Sequence, residues 1–316
     1  MLSVTAEAVP TAGPLVQSGI GGVLLSGSTA PAGLARSLAD LHAAGGSVPP
    51  LVAVDEEGGR VQRIGGVVPP LASARQQAAS LTVAQVEDQA TAIARRLHDA
   101  GVDMDFAPDA DIDAGPALRP IGDRSFSGDP VTAGRYAVAF ARGLRRGGLI
   151  AVVKHFPGHG RADGDTEVTS ATTPGIDVLR AADLIPFEAL IADGVPAVMV
   201  GHLTVPGLTE PGRPASLSSA ANALLRRDLR FDGLVVTDSL SMGAIGRSGN
   251  SVAQATVAAL RAGSDLVVFT SNGDAPGAIA AIAAAVNSGS LPAARLQDAV
   301  TRVLSLKHVE LCGRPQ

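Results

Sequence analysis

The chain has 316 residues, 46% hydrophobic and only 17% charged, with a net charge of −5 and a single cysteine, Cys312. That apolar fraction excludes a disordered polymer, and 37 Gly and 21 Pro without a triplet period exclude collagen. No block of Lys and Arg is available to displace counterions, so nucleic acid is not an expected partner, and a lone cysteine allows no intrachain disulfide.

No apolar run reaches the roughly 18 residues of a membrane helix, and MLSVTAEAVP lacks the basic and apolar regions of an export signal. As written, the sequence reads as cytoplasmic without a transmembrane segment. Met1 leads almost directly into the first strand candidate, however, so a missing upstream segment would place the protein in the cell envelope or outside the cell. Trp is absent and Tyr136 is the one tyrosine, which argues against a long aromatic groove and for a small polar pocket.

In chain order, short β-branched runs alternate with longer stretches of helical period. The strand candidates are 2–4, 22–25, 51–54, 102–106, 149–153, 197–200, 234–236 and 266–269. Helical patterns fall near 31–44, 83–100, 130–146, 178–193, 218–229, 250–262, 275–287 and 292–309. Eight such units in about 300 residues predict a (β/α)8 barrel rather than an open sheet, and no linker divides residues 1–316.

Several strand candidates are followed by a polar residue: Asp55, Asp109, Lys154 with His155, His202, Asp238 and Thr270. Each alone reads more readily as a helix cap or strand end, but in a barrel all six converge on the C-terminal rim, where active sites of this architecture lie.

Three constellations carry possible chemistry. In AVDEEGGRVQRI, Asp55 stands at a strand end before two glycines that permit a tight turn, with Arg60 and Arg63 beyond. Asp55 suits two ligand hydroxyls and Arg63 suits ligand oxygens, while a local salt-bridge cluster is the plainer alternative. VVKHFPGHGRADGDTE holds Lys154, His155, His159, Asp163, Asp165 and Glu167 on a segment that Pro and Gly forbid to be helical. A metal site or a Schiff-base Lys154, as in barrel aldolases, remains open there, but a cationic clamp for sugar hydroxyls fits better. In LVVTDSLSMGAI, Asp238 follows an apolar strand among small residues, which suits a nucleophile at an anomeric carbon as well as a helix cap.

The motifs DEEGGRVQR, GDRSFSGDP, KHFPGHG and VVTDSLSM, in this order, resemble glycoside hydrolase family 3, specifically its β-N-acetylhexosaminidase branch. The resemblance covers nearly the whole chain. It implies a retaining exo-acting hydrolase that releases N-acetyl-β-glucosamine from cell-wall-derived saccharides or muropeptides, with Asp238 as nucleophile and with no metal or organic cofactor. It also implies sugar contacts from Asp55, Arg63, Arg124, Lys154 and His155, with His202 and Met242 lining the pocket. One departure falls on the chemistry. The branch ends its loop in Asp-Ser-His, with His as the general acid/base, where this chain has Asp165-Thr166-Glu167. Glu167 is expected to take that role, buried under the loop beside Asp165, and the opposing expectation is a sugar binder with little or no turnover.

Overall fold

The computed structural model describes residues 1–270, 273–307 and 309. Cys312 and the final turn expected near 308 lie outside the described residues.

Eight parallel strands form the barrel: β1 (Leu2–Thr5), β2 (Gly22–Ser26), β3 (Leu51–Val54), β4 (Met104–Asp105), β5 (Ile150–Phe156), β7 (Ala197–Val200), β9 (Leu234–Ser239) and β10 (Leu266–Val268). They pair in that order, and a parallel bridge between Leu2 and Phe269 joins the last strand to the first. Two further strands, β6 (Ala171–Thr172) and β8 (Leu203–Thr204), pair with each other above the rim. All eight barrel strands coincide with the sequence candidates, so the fold is the (β/α)8 barrel.

Strand periodicity sorts the core into two layers. Leu24, Ala53, Met104, Phe106, Val152, Ala197, Met199, Val236 and Val268 pack inside the ring. Their sequence neighbours, such as Val23, Val52, Val54, Val153, Val198 and Val235, face the surrounding helices.

The helices begin where the sequence supplies caps. The helix Val83–Asp99 starts at a capping box of Thr82 and Gln85, and Val252–Ala262 at one of Ser251 and Gln254. Pro130–Arg146 starts with the Asp129 side chain on the Thr132 amide and with proline in its first turn, where no N–H is needed. In Val83–Asp99 the buried positions Val86, Ala90, Ile93, Ala94 and Leu97 recur every three or four residues and form the stripe facing the core.

The expected helix 178–193 is two helices, Ile176–Ala181 and Leu184–Ala192. The break puts Pro186 in a first turn and leaves Asp183 buried as the partner of Arg161. The expected 218–229 helix runs as Ser219–Ala223 and then widens into a π turn, Leu224–Asp228. The short helices Gly13–Gln17, Ala74–Ser80 and Gly243–Arg247 carry too few turns to show a period in the sequence.

Candidate active site

A cavity of about 520 Å³ opens at the C-terminal ends of the strands. Its floor is the uppermost barrel layer, Leu24, Phe106, Met199 and Val268, and its walls are polar. Asp55, Arg63, Arg124, Lys154, His155, Asp165, Glu167, Asp238 and Met242 all line it. The lone Tyr136 stands elsewhere, its hydroxyl donating to the Leu81 carbonyl at 2.8 Å.

The DEEGG turn builds one wall. In the extended chain leaving β3, Asp55 and Glu57 fall on one side and Glu56 on the other. Glu56 turns inward and accepts the amides of Arg63 and Ile64, both at 2.7 Å, which closes the loop upon itself. Gly58 and Gly59 both take positive φ, and a Cβ at Gly58 would stand 2.5 Å from the Ala72 carbonyl oxygen, so glycine is required for the turn. Arg60 is consumed structurally, donating to the carbonyls of Ala117, Arg119, Pro120 and Ile121 and thereby fixing the rim loop.

Lys154 Nζ sits between Asp55 Oδ1 at 2.5 Å and Glu57 Oε1 at 2.6 Å. Burial alone would favour the neutral amine, but the two carboxylates outweigh it and hold the ammonium well above the usual lysine range. A charged Lys154 is a poor Schiff-base nucleophile, which argues against aldolase chemistry. Arg124 grips Glu57 with two hydrogen bonds, Nε to Oε2 at 2.7 Å and Nη2 to Oε1 at 2.8 Å. Burial opposes ionisation of Glu57, yet Arg124 and Lys154 together hold its carboxyl well below the usual range. Arg63 lines the same cavity with no side-chain hydrogen bond or ion pair among the described residues, so its guanidinium is available to a ligand.

His155 is oriented from behind. Asp111 Oδ2 lies 2.8 Å from its Nδ1 and accepts its backbone amide at 3.2 Å, while Asp111 Oδ1 accepts the His159 amide at 2.5 Å. Burial raises Asp111 to about 7 and lowers His155 below its ordinary value. Asp109, Asp111 and His155 bring ligand atoms within 4.8 Å of one another, the spacing of a metal cage. Arg124 Nη2 already stands 3.5 Å from Asp109 Oδ2 and 3.4 Å from His155 Nε2. The cation that balances this cluster is therefore the guanidinium, a poor fit for an added metal ion.

Asp238 is the penultimate residue of β9, not the residue after the strand, because pairing with β10 continues through Ser239 and Val268. Lys154 and His155 likewise belong to β5, not to the loop expected for them. Strand backbone thus holds all three rigidly at the cavity. Among the described residues only the Ser239 amide donates to Asp238, to Oδ1 at 2.8 Å, which leaves Oδ2 facing no protein donor. Burial works against ionisation, but His155, His202, the Ser239 amide and Lys154 overcome it and keep the carboxyl below its ordinary range.

The opposite lip is the loop after KHFPGHG. His159 Nε2 meets Thr166 Oγ1 at 3.2 Å, and Asp165 Oδ1 accepts the Glu167 amide at 2.9 Å. Contrary to expectation, Glu167 is exposed at the mouth, with no side chain among the described residues closing over it, while Asp165 accepts the loop's own backbone amide. His202 also departs from expectation. It is 1% exposed and absent from the cavity wall, its ring fixed between Ser216 Oγ at 2.7 Å and the Ser239 carbonyl at 2.8 Å. It supports the Asp238 strand from beneath. Sequence reasoning counted Glu57 among the strand-end carboxylates without giving it a role of its own, and missed Asp111. The two-residue alternation in DEEGG was the signal for Glu57, whereas Asp111 comes from a distant segment and had none.

Residues 5–306 match the family model described as the glycosyl hydrolase family 3 N terminal domain. The chain is 41% identical over 305 residues to the beta-hexosaminidase LpqI of Mycobacterium tuberculosis, covering 93% of this chain and 78% of that protein. A solved glycosyl hydrolase of the same family from Mycobacterium smegmatis superposes with a TM-score of 0.89 at 39% identity, over 96% of this chain and 94% of that one. A family 3 beta-N-acetylglucosaminidase from Paenibacillus sp. gives 0.91 at 32% identity, over all of this chain and 62% of that one. With barrel, rim carboxylates and these matches in agreement, the chain belongs to glycosyl hydrolase family 3.

Proposed function

We propose that residues 1–316 form one catalytic domain that removes terminal N-acetyl-β-glucosamine, with retention, from cell-wall-derived or related saccharides, muropeptides included. The observation that carries this reading is Asp238, a strand-fixed carboxylate below its ordinary pKa range with Oδ2 free of protein donors among the described residues. The names of the similar proteins, a beta-hexosaminidase and a beta-N-acetylglucosaminidase, support the sugar.

In this reading Asp238 attacks the anomeric carbon while its bond to the leaving oxygen breaks, and Glu167 gives that oxygen its proton. Water then attacks the same carbon, Glu167 takes a proton from the water, and the bond to Asp238 breaks. Asp55 accepts from sugar hydroxyls, and Lys154, Arg63, Arg124 and His155 surround them. Met242 adds an apolar contact, and Asp165 holds the loop that carries Glu167. No cofactor takes part.

Purified protein without added metal should cleave a chromogenic N-acetyl-β-glucosaminide in preference to the matching β-glucoside. A fluorinated sugar that slows deglycosylation should label Asp238, and labelling at another carboxylate would refute the nucleophile. Glu167→Gln should slow substrates with poor leaving groups far more than activated aryl glycosides, with azide restoring deglycosylation. Equal behaviour of parent and variant on both substrates would remove Glu167 from the mechanism.

The exposure of Glu167 also favours a second reading, a sugar binder with little turnover. That reading expects stabilisation by N-acetylglucosamine without cleavage, and a large gain in activity in Glu167→His.

A further inference from the structure

The loop that bears Glu167 is fastened to the segment that bears Asp238, and one glycine makes the junction. The Gly243 amide donates to the Glu167 carbonyl at 2.8 Å and the Ala244 amide donates to the Thr166 carbonyl at 3.1 Å. These are the first two residues of the helix Gly243–Arg247, whose amides have no acceptor within their own helix. The loop carbonyls supply the missing acceptors, so docking satisfies both sides at once. Contact is tight. A Cβ placed on Gly243 would stand 2.6 Å from the Val168 carbonyl carbon and oxygen and 2.9 Å from the Glu167 oxygen. All three are backbone atoms, which no side-chain rotation can move aside. Gly243 does not have a positive φ, so the absence of a side chain here serves the approach of the loop and not the helix's own geometry.

On the other flank, Thr166 is buried with its hydroxyl against His159. Thr166 and the Glu167 backbone are therefore clamped from two directions while the Glu167 side chain alone is left exposed at the mouth. Only four residues separate Asp238 from Gly243, so the nucleophile's own segment sets where the opposing carboxyl stands.

From this geometry we infer that Gly243 is a positioning residue for hydrolysis, the seat that holds the Glu167 loop over the cavity. The inference rests on the assignment of Glu167 as the acid. Gly243→Ala keeps an allowed backbone yet lifts the loop, so it acts on protonation of the leaving group and not on the attack by Asp238.

The test is kcat/KM for a series of aryl and alkyl N-acetyl-β-glucosaminides of rising leaving-group pKa, measured on the parent, Gly243→Ala, Glu167→Gln and the double variant. Gly243→Ala should lower kcat/KM at least tenfold for the poorest leaving groups, change it less than threefold for the best, and steepen the dependence on leaving-group pKa. The double variant should be no slower than Glu167→Gln alone. Equal loss across the series, or losses that multiply in the double variant, would overturn the seat while leaving the acid assignment intact. A parent-like Glu167→Gln would overturn both. Should Gly243→Ala fail to fold, hydrogen exchange on the parent decides. The Gly243 and Ala244 amides should exchange at least tenfold more slowly than their unprotected rates, and unprotected exchange would refute docking.

Discussion

Lys154 Nζ lies 2.6 Å from Glu57 Oε1, and both side chains are only 3% exposed. Glu57→Ala leaves Lys154 with Asp55 alone and takes from Arg124 its two short hydrogen bonds, so it should destabilise the fold by up to about 3–5 kcal/mol. The pH dependence follows from the sign of the shift. Glu57 in the fold lies well below its ordinary value of 4.5, so its contribution is present above about that pH and is lost as the pH falls below it. Denaturant unfolding of parent and Glu57→Gln between pH 2 and 7 should show the parent's advantage shrinking towards acid. Parallel curves would contradict the assignment.

Arg63 and Arg124 both face the cavity but should respond differently to truncation. Arg63→Ala removes a guanidinium with no protein partner among the described residues, so saccharide affinity should fall roughly ten- to a hundredfold, about 1.5–3 kcal/mol, at nearly unchanged stability. Arg124→Ala should lower both affinity and stability, because it leaves Asp109 without its cation and Glu57 with Lys154 alone. Calorimetric titration with N-acetylglucosamine beside thermal melts separates the two cases.

Asp238→Ala should abolish turnover by roughly a thousandfold or more, which is about 4 kcal/mol of transition-state stabilisation. The fold should persist, since among the described residues the carboxylate accepts a single hydrogen bond, from the adjacent amide. Retained sugar binding with lost cleavage, read by titration and a chromogenic assay, is the expected pair of results.

Asp111 should make the fold less stable as the pH rises. Burial lifts its carboxyl from 3.8 to about 7, so the native state holds a proton that the unfolded chain releases near pH 4. Stability should therefore fall between about pH 4 and 7, by up to about 1.4 kcal/mol per pH unit from this group. Asp111→Asn should flatten that slope, even though its amide meets the His159 N–H that the carboxylate accepted. Unfolding free energies at pH 4.5 and 7 for the two proteins provide the comparison.

The barrel was legible because each strand writes its period locally. Val52, Ala53 and Val54 fall on alternating faces whichever strands flank them. The site was legible where a motif is contiguous, as in DEEGGR or KHFPGHG, and the structure brings these segments to one cavity. What the sequence hid was depth. His202 follows an apolar strand as Asp55 does, yet its ring is buried between Ser216 and the Ser239 carbonyl, and no local pattern distinguishes the two. The exposure of Glu167 was equally hidden, because it depends on what the fold brings over the loop and not on the loop's own residues.

The ring itself closes only once β10 is in place. Its final seam runs from the Ser3 amide to the Phe269 carbonyl and from the Phe269 amide to the Met1 carbonyl, joining residues some 266 positions apart. Until β10 leaves the ribosome, β1 and β9 present unpaired edges of the kind that recruit other chains. Val268 and Thr270, which line the cavity, arrive with that same strand and the residue pair after it. A nascent chain that has already made Asp55, Lys154 and Asp238 thus has no finished pocket, and the event that seals its sticky edges also completes the site.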